Sequence, residues 1–128
     1  MQVKVKAPPS YKKGLHKTLD AIWINTQKNS SISYFSSCSD ISKDLENFQI
    51  SSYPQKLNFK VIQKDKTPEF LYSVLELTPL DNPKVYISVY TLRKANCLFN
   101  FNLKAPSKQV FDEEEPLFKK MIQDFNLL

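Results

Sequence analysis

Residues 85–93 constrain the fold more tightly than any other part of the chain. Val85, Ile87 and Val89 alternate with Tyr86, Tyr90 and Leu92. Successive side chains of a β-strand point to opposite faces, so this strand is apolar on both. Each face must be covered, which calls for a sheet with a further layer on either side.

The neighbouring segments supply the rest of such a sheet. Residues 57–64, 69–78 and 97–104 are also strand-like, and the breaks between the four are Lys66-Thr67-Pro68, Pro79-Leu80-Asp81-Asn82-Pro83 and Lys94-Ala95-Asn96. Short polar or Pro-bearing breaks join antiparallel neighbours, so a meander is expected. Upstream, 21–26 and 31–36 form a hairpin across Gln27-Lys28-Asn29-Ser30.

Two helices are expected to cover the sheet. Ile41, Leu45 and Phe48 lie one helical face apart, with Ser39 or Asp40 as the cap and Tyr53-Pro54 as the stop, giving a helix near 39–51. After Asp112-Glu113-Glu114-Glu115, Pro116 suits a first helical turn, and Leu117, Phe118, Met121, Ile122 and Phe125 form an apolar stripe. The expectation is an α+β protein with a central antiparallel sheet sandwiched by two helices, in the order ββαββββα. At 128 residues the chain fits one domain. Residues 1–20, with Pro8-Pro9 and little periodicity, read as an extended arm or lead-in, and 21–128 as a single α+β domain.

Catalytic and cofactor chemistry find little to work with. His16 is the sole imidazole, in an irregular stretch, and reads as an ordinary surface or partly packed histidine. Cys38, Cys97 and His16 lack the paired spacing of a zinc site, and the acidic run lacks the alternation and turn glycine of a calcium loop, so it reads as helix-start electrostatics. Gly14 stands alone, without the glycines of a phosphate loop. No catalytic residue, metal or cofactor is expected. Asn29-Ser30-Ser31 matches the glycosylation pattern at a length that chance supplies. No apolar stretch is long enough to span a bilayer, and Met1-Gln2-Val3-Lys4-Val5-Lys6 has no apolar signal core.

The net charge is +5, from 18 basic and 13 acidic residues, but the basic ones are dispersed and Arg93 is the only arginine. A nucleic-acid footprint would gather Lys and Arg on one face. Phe59, Phe70, Tyr86, Tyr90, Phe99 and Phe101 could form a base-stacking platform, but their alternation suits sheet core better. Cys38 closes a strand and Cys97 opens one, so the pair is either a disulfide, worth about 4 kcal/mol for a long loop, or two separate buried thiols.

Further features resemble a known family. Ile22-Trp23-Ile24-Asn25 leading to Ser36-Ser37-Cys38, Lys94-Ala95-Asn96-Cys97 leading to Phe99, Phe101 and Ala105-Pro106, then Phe111, Pro116, Phe118 and Asp124-Phe125, are similar to a family of small bacterial periplasmic lipoproteins. The fold of that family is like that of the photosystem subunit PsbP and of a Ran-binding nuclear import factor. The resemblance runs from about Tyr11 onward. It implies an oxidising compartment, in which Cys38 and Cys97 are joined. Lys66-Thr67-Pro68-Glu69 replaces the family's Gly-containing turn, and the lipid-bearing N-terminal Cys is absent. Membrane attachment would therefore run only through a lipid anchor outside this sequence.

The expected function is a non-enzymatic binding or assembly module of the bacterial cell envelope. It would be periplasmic, outer-membrane-anchored in its full-length precursor, and would act on a protein or small-ligand partner. Were this chain the whole product, the cytoplasm would be expected. The alternative class is a nucleic-acid-binding protein. With one Arg and scattered Lys, generic DNA or RNA binding should be weak and vanish at moderate salt. Mobility-shift titrations at two salt concentrations check this, and tight binding that survives the higher one would favour the alternative.

Overall fold

The computed structural model of the chain describes residues 5–15, 19–39, 44–54, 58–78 and 84–126. Seven strands, β1 (Lys12–Lys13), β2 (Ala21–Asn25), β3 (Ser30–Ser37), β4 (Phe59–Lys66), β5 (Phe70–Leu77), β6 (Val85–Lys94) and β7 (Cys97–Ala105), form one antiparallel sheet in the order β1-β2-β3-β7-β6-β5-β4. Two helices complete it, α1 (Leu45–Ile50) and α2 (Lys108–Asn126). The expected meander is present as β4 to β7, each of its strands and of the hairpin's within two residues of the sequence-based bounds, whereas β1, in the lead-in, was not expected and adds a strand ahead of the order ββαββββα. Leu57 and the 79–83 connection lie outside the described residues.

The double-faced strand is covered as its pattern demands. On one side Leu92 joins Cys97, Phe99, Phe101 and Leu103 of β7 against Phe118, Met121, Ile122 and Phe125 of α2. On the other, Leu71 and Leu98 pack on Leu45 and Phe48 of α1, and Val89 packs with Leu75 and Leu77. The helices therefore lie on opposite faces of the sheet.

Both helices begin elsewhere than the sequence suggests. Asp44, extended at φ −73° and ψ 158°, is the cap of α1, its Oδ1 accepting from the Asn47 amide at 2.6 Å. Extended backbone at Asp44 prevents a helix from running through it, so α1 does not start at Ser39. Asp40 and Ile41 lie outside the described residues. α2 starts at Lys108, ahead of the acidic run, because Ser107 caps it: its Oγ accepts from the Val110 amide at 3.2 Å.

Pro116 accordingly sits in the interior of α2, where it removes the donor for the Asp112 carbonyl. The helix continues because both halves are held on the sheet, Phe111 before the proline and Phe118 after it. The buried stripe is Phe111, Glu114, Phe118, Met121, Ile122 and Phe125, while Leu117, expected within it, is 42% exposed.

α1 is only six residues long and owes its place to the sheet, since so short a helix is not stable alone. Fully buried Gln49 fixes its position. Its Nε2 donates to the Leu71 carbonyl at 3.0 Å and to Thr91 Oγ1 at 3.1 Å, while its Oε1 accepts from the Tyr53 hydroxyl at 2.6 Å. Thr91 Oγ1 donates onward to Asn100 Oδ1 at 2.5 Å.

The N-terminal lead-in contributes to the same core. Lys12 and Lys13 pair with Ile24 and Trp23, and Tyr11 is buried. At the junction of hairpin and meander, β3 pairs with β7 from Ser31↔Lys104 to Ser37↔Leu98. There Cys38 and Cys97, 59 residues apart in sequence, are joined in a disulfide with Cα atoms 4.0 Å apart.

β6 turns into β7 through Ala95 and Asn96, with φ of 54° and 63°. Left-handed backbone at both positions is the tight hairpin geometry that favours Asn-Gly, and the Cβ of Ala95 costs about 1 kcal/mol there. Replacing Ala95→Asn together with Asn96→Gly should raise stability by about 1 kcal/mol. Urea denaturation measures it, and an unchanged or lower midpoint would contradict this view of the turn.

Candidate binding site

The β5–β6 register places Phe70 opposite Leu92 and Tyr72 opposite Tyr90, all on the face that α2 covers. Between α2 and the start of β5 and end of β6 an open cleft of about 470 Å³ remains, lined by Glu69, Phe70, Tyr90, Leu92, Arg93, Lys119, Ile122 and Gln123. The Phe70 and Tyr90 rings lie 6.0 Å apart, and Tyr90 continues to Tyr72 at 4.5 Å and Phe118 at 6.0 Å. This makes an aromatic floor half open to solvent.

The wall next to α2 is polar. The Tyr72 hydroxyl donates to Glu115 Oε2 at 2.5 Å, and Lys119 Nζ lies 3.5 Å from Glu115 Oε1 and 4.8 Å above the Tyr72 ring. Across the mouth, the Arg93 amide donates to the Glu69 carbonyl at 3.3 Å. The cleft thus sets apolar surface beside Glu69, Arg93 and Lys119, the last already paired with Glu115.

The six alternating aromatics, read from the sequence as sheet core in preference to a stacking platform, are divided by the structure. Phe99, Phe101 and Tyr86 are buried in the core, Phe59 stands on the exposed edge strand, and only Phe70 and Tyr90 meet at the cleft. His16 lies outside the described residues. Among the described residues, no cluster of three or more His, Cys, Asp or Glu could hold a metal ion, and no helix is long and apolar enough to cross a membrane. Asn29 of the glycosylation pattern serves the β2–β3 turn at φ 54°, where Asn25 Oδ1 accepts from the Gln27 and Lys28 amides.

The acidic run does not act as one unit. Asp112 pairs with Lys108 at 2.5 Å, Glu113 with Lys28 at 3.3 Å, and Glu115 with Tyr72 and Lys119. Glu114 is buried: its Oε1 accepts from the Tyr11 hydroxyl at 3.0 Å and Asn25 Nδ2 at 3.4 Å, and Tyr11 also meets Ser30 at 2.7 Å. Helical periodicity inside the run turns the four carboxylates in different directions, which the premise of a helix starting after them concealed. The cleft residues Glu69, Lys119 and Gln123 were likewise not assigned to a site from sequence, and Arg93 was noted there only as the sole arginine. A lone arginine near alternating aromatics was the available signal, but its meaning depended on cross-strand register.

The architecture so defined is an α+β domain with one seven-stranded antiparallel sheet between two helices. No family model matches the chain and no curated protein does. Among solved structures, it is similar to the Ran-binding protein Mog1p of Saccharomyces cerevisiae, with a TM-score of 0.64 at 11% identity over 94% of this chain and 85% of that one. A point mutant of Mog1 gives 0.63 at 12% identity over 98% and 93%. PA94 of Pseudomonas aeruginosa, a protein of unknown function, gives 0.56 at 10% identity over 96% and 82%. At these identities the likeness is one of fold.

Burial pushes the Tyr11 and Tyr72 phenols well above the ordinary tyrosine value. Glu115 adds to the rise at Tyr72, while at Tyr11 the Ser30 hydrogen bond opposes it and Glu114 reinforces it. A raised pKa means the folded chain keeps a proton that the unfolded chain loses. Their contribution to stability is therefore whole below about pH 10 and is lost as pH climbs above it. Denaturation midpoints should fall steadily above that pH, and Tyr72→Phe should make the fall shallower. A slope unchanged by the substitution would show that Tyr72 does not carry it.

Proposed function

We propose that this chain is a non-enzymatic binding or assembly module of a bacterial cell envelope, of the PsbP-like kind, that receives a protein partner at the cleft between β5, β6 and α2. The observation that carries the proposal is the Cys38–Cys97 disulfide at the junction of hairpin and meander. Disulfides persist in oxidising compartments, of which the periplasm is one. The cleft supports the binding half of the reading: an aromatic floor beside Arg93 and Lys119 accommodates an apolar side chain next to an acidic one. The likeness in fold to Mog1p, which is a Ran-binding protein, supports a protein as the partner.

The test is thiol alkylation without reductant on protein recovered from the envelope fraction, followed by intact-mass analysis. An unmodified chain, destabilised by up to about 4 kcal/mol once reduced, is expected. Two alkylated cysteines would overturn the compartment. The cleft is tested by a photo-crosslinker at Gln123: adducts should form with a specific envelope protein and be lost on Lys119→Glu, and adducts indifferent to that substitution would count against the cleft.

A further inference from the structure

The two edges of the sheet are finished very differently. β1 ends one side with two residues, whereas β4 ends the other with eight, every one of them exposed. An edge strand turns a row of unpaired N–H and C=O groups outward, and proteins guard such edges with lysines and bulges. β4 has both, with its register shifting between Val61 and Gln63. Guarding does not account for Phe59, Val61 and Ile62, which are 39%, 42% and 41% exposed on the same strand.

The register sorts these side chains. Phe59 and Val61 stand opposite Leu77 and Leu75, and Lys64 and Lys66 opposite Ser73 and Leu71, all on the α1 side of the sheet. That face of β4 is apolar at one end, where the Tyr53 ring meets Phe59 edge-on at 5.4 Å, and cationic at the other. The cationic end already takes a carboxylate: Glu46 of α1 contacts Lys64 and lies 3.8 Å from Lys66. Within β4 itself three lysines, Lys60, Lys64 and Lys66, stand with one acidic residue, Asp65, while Glu76 of β5 lies opposite Lys60.

We propose that β4 is a strand-addition site for an extended acidic segment of a partner protein, independent of the cleft. One face of that segment carries apolar side chains beside Phe59 and Val61 and carboxylates beside Lys64 and Lys66. Backbone hydrogen bonds along the open edge supply affinity, and the side chains of that face supply selectivity. A second copy of the chain brings three lysines of its own and is disfavoured by like charge.

The probe is a fluorescein-labelled synthetic peptide, Glu-Thr-Glu-Thr-Val-Thr-Val, whose order matches an antiparallel neighbour of β4. Anisotropy should show saturable binding, and hydrogen exchange should show new protection in the β4 amides. Affinity should fall roughly tenfold when Lys replaces Glu in the peptide, and again for the Lys64→Glu, Lys66→Glu double variant. The two peptides on the native chain decide the matter even if the variant folds poorly. No binding, protection elsewhere in the chain, or equal affinity for both peptides overturns the proposal. So does protection of β4 by self-association alone, which would assign the edge to a second copy.

Discussion

The structure depends on the pairing of β3 with β7. Every other strand contact in the sheet joins neighbours in sequence, and this one alone connects the N-terminal hairpin to the meander. Without it neither part could bury both faces: Ile32 and Trp23 of the hairpin share a cluster with Phe99, Phe101 and Leu103 of β7. The disulfide fastens the same junction at its outer end, so the covalent link and the longest-range ladder reinforce one another. In the unfolded chain a cross-link of this span removes much of the freedom that the ladder must otherwise overcome.

The sheet was largely legible in the sequence because strand alternation and turn chemistry are local. The four meander strands, the hairpin, and the demand for a layer on each face could be read from residues such as Val85 to Leu92. The helix starts were less legible, since several Ser and Asp residues could cap, and the caps that form are local hydrogen bonds from the Asn47 amide to Asp44 and from the Val110 amide to Ser107. Pro116 misled for a related reason: packing of Phe111 and Phe118 overrides a propensity that penalises proline within helices. The cleft was not legible, because Phe70, Tyr90 and Arg93 become neighbours only through register between strands and through the course of α2.

Polar groups in the interior do organising work that apolar packing cannot. A six-residue helix laid on a sheet by Leu45 and Phe48 alone could rest in several positions, since hydrophobic contact is not directional. Gln49 selects one, as its amide requires the Leu71 carbonyl, Thr91 and Tyr53 together. On the opposite face, the cleft lies where Phe70 and Tyr90 stay partly exposed beside α2, while Tyr72 between them and the helix is buried. Lys119 and Glu115 finish the wall on the helix side.

The burial of Glu114 carries a consequence for how the molecule comes apart. Its carboxylate is held by Tyr11 from the lead-in and Asn25 from the end of β2, both far from it in sequence. Loss of the lead-in would take the Tyr11 hydrogen bond away from the buried Glu114 side chain, a defect of about 1–3 kcal/mol. That is a large share of the total stability of a domain this size. The described part of the lead-in, residues 5–15, is therefore tied through Tyr11 to both the hairpin and α2, and its proteolytic removal would loosen the C-terminal helix at the opposite end of the chain.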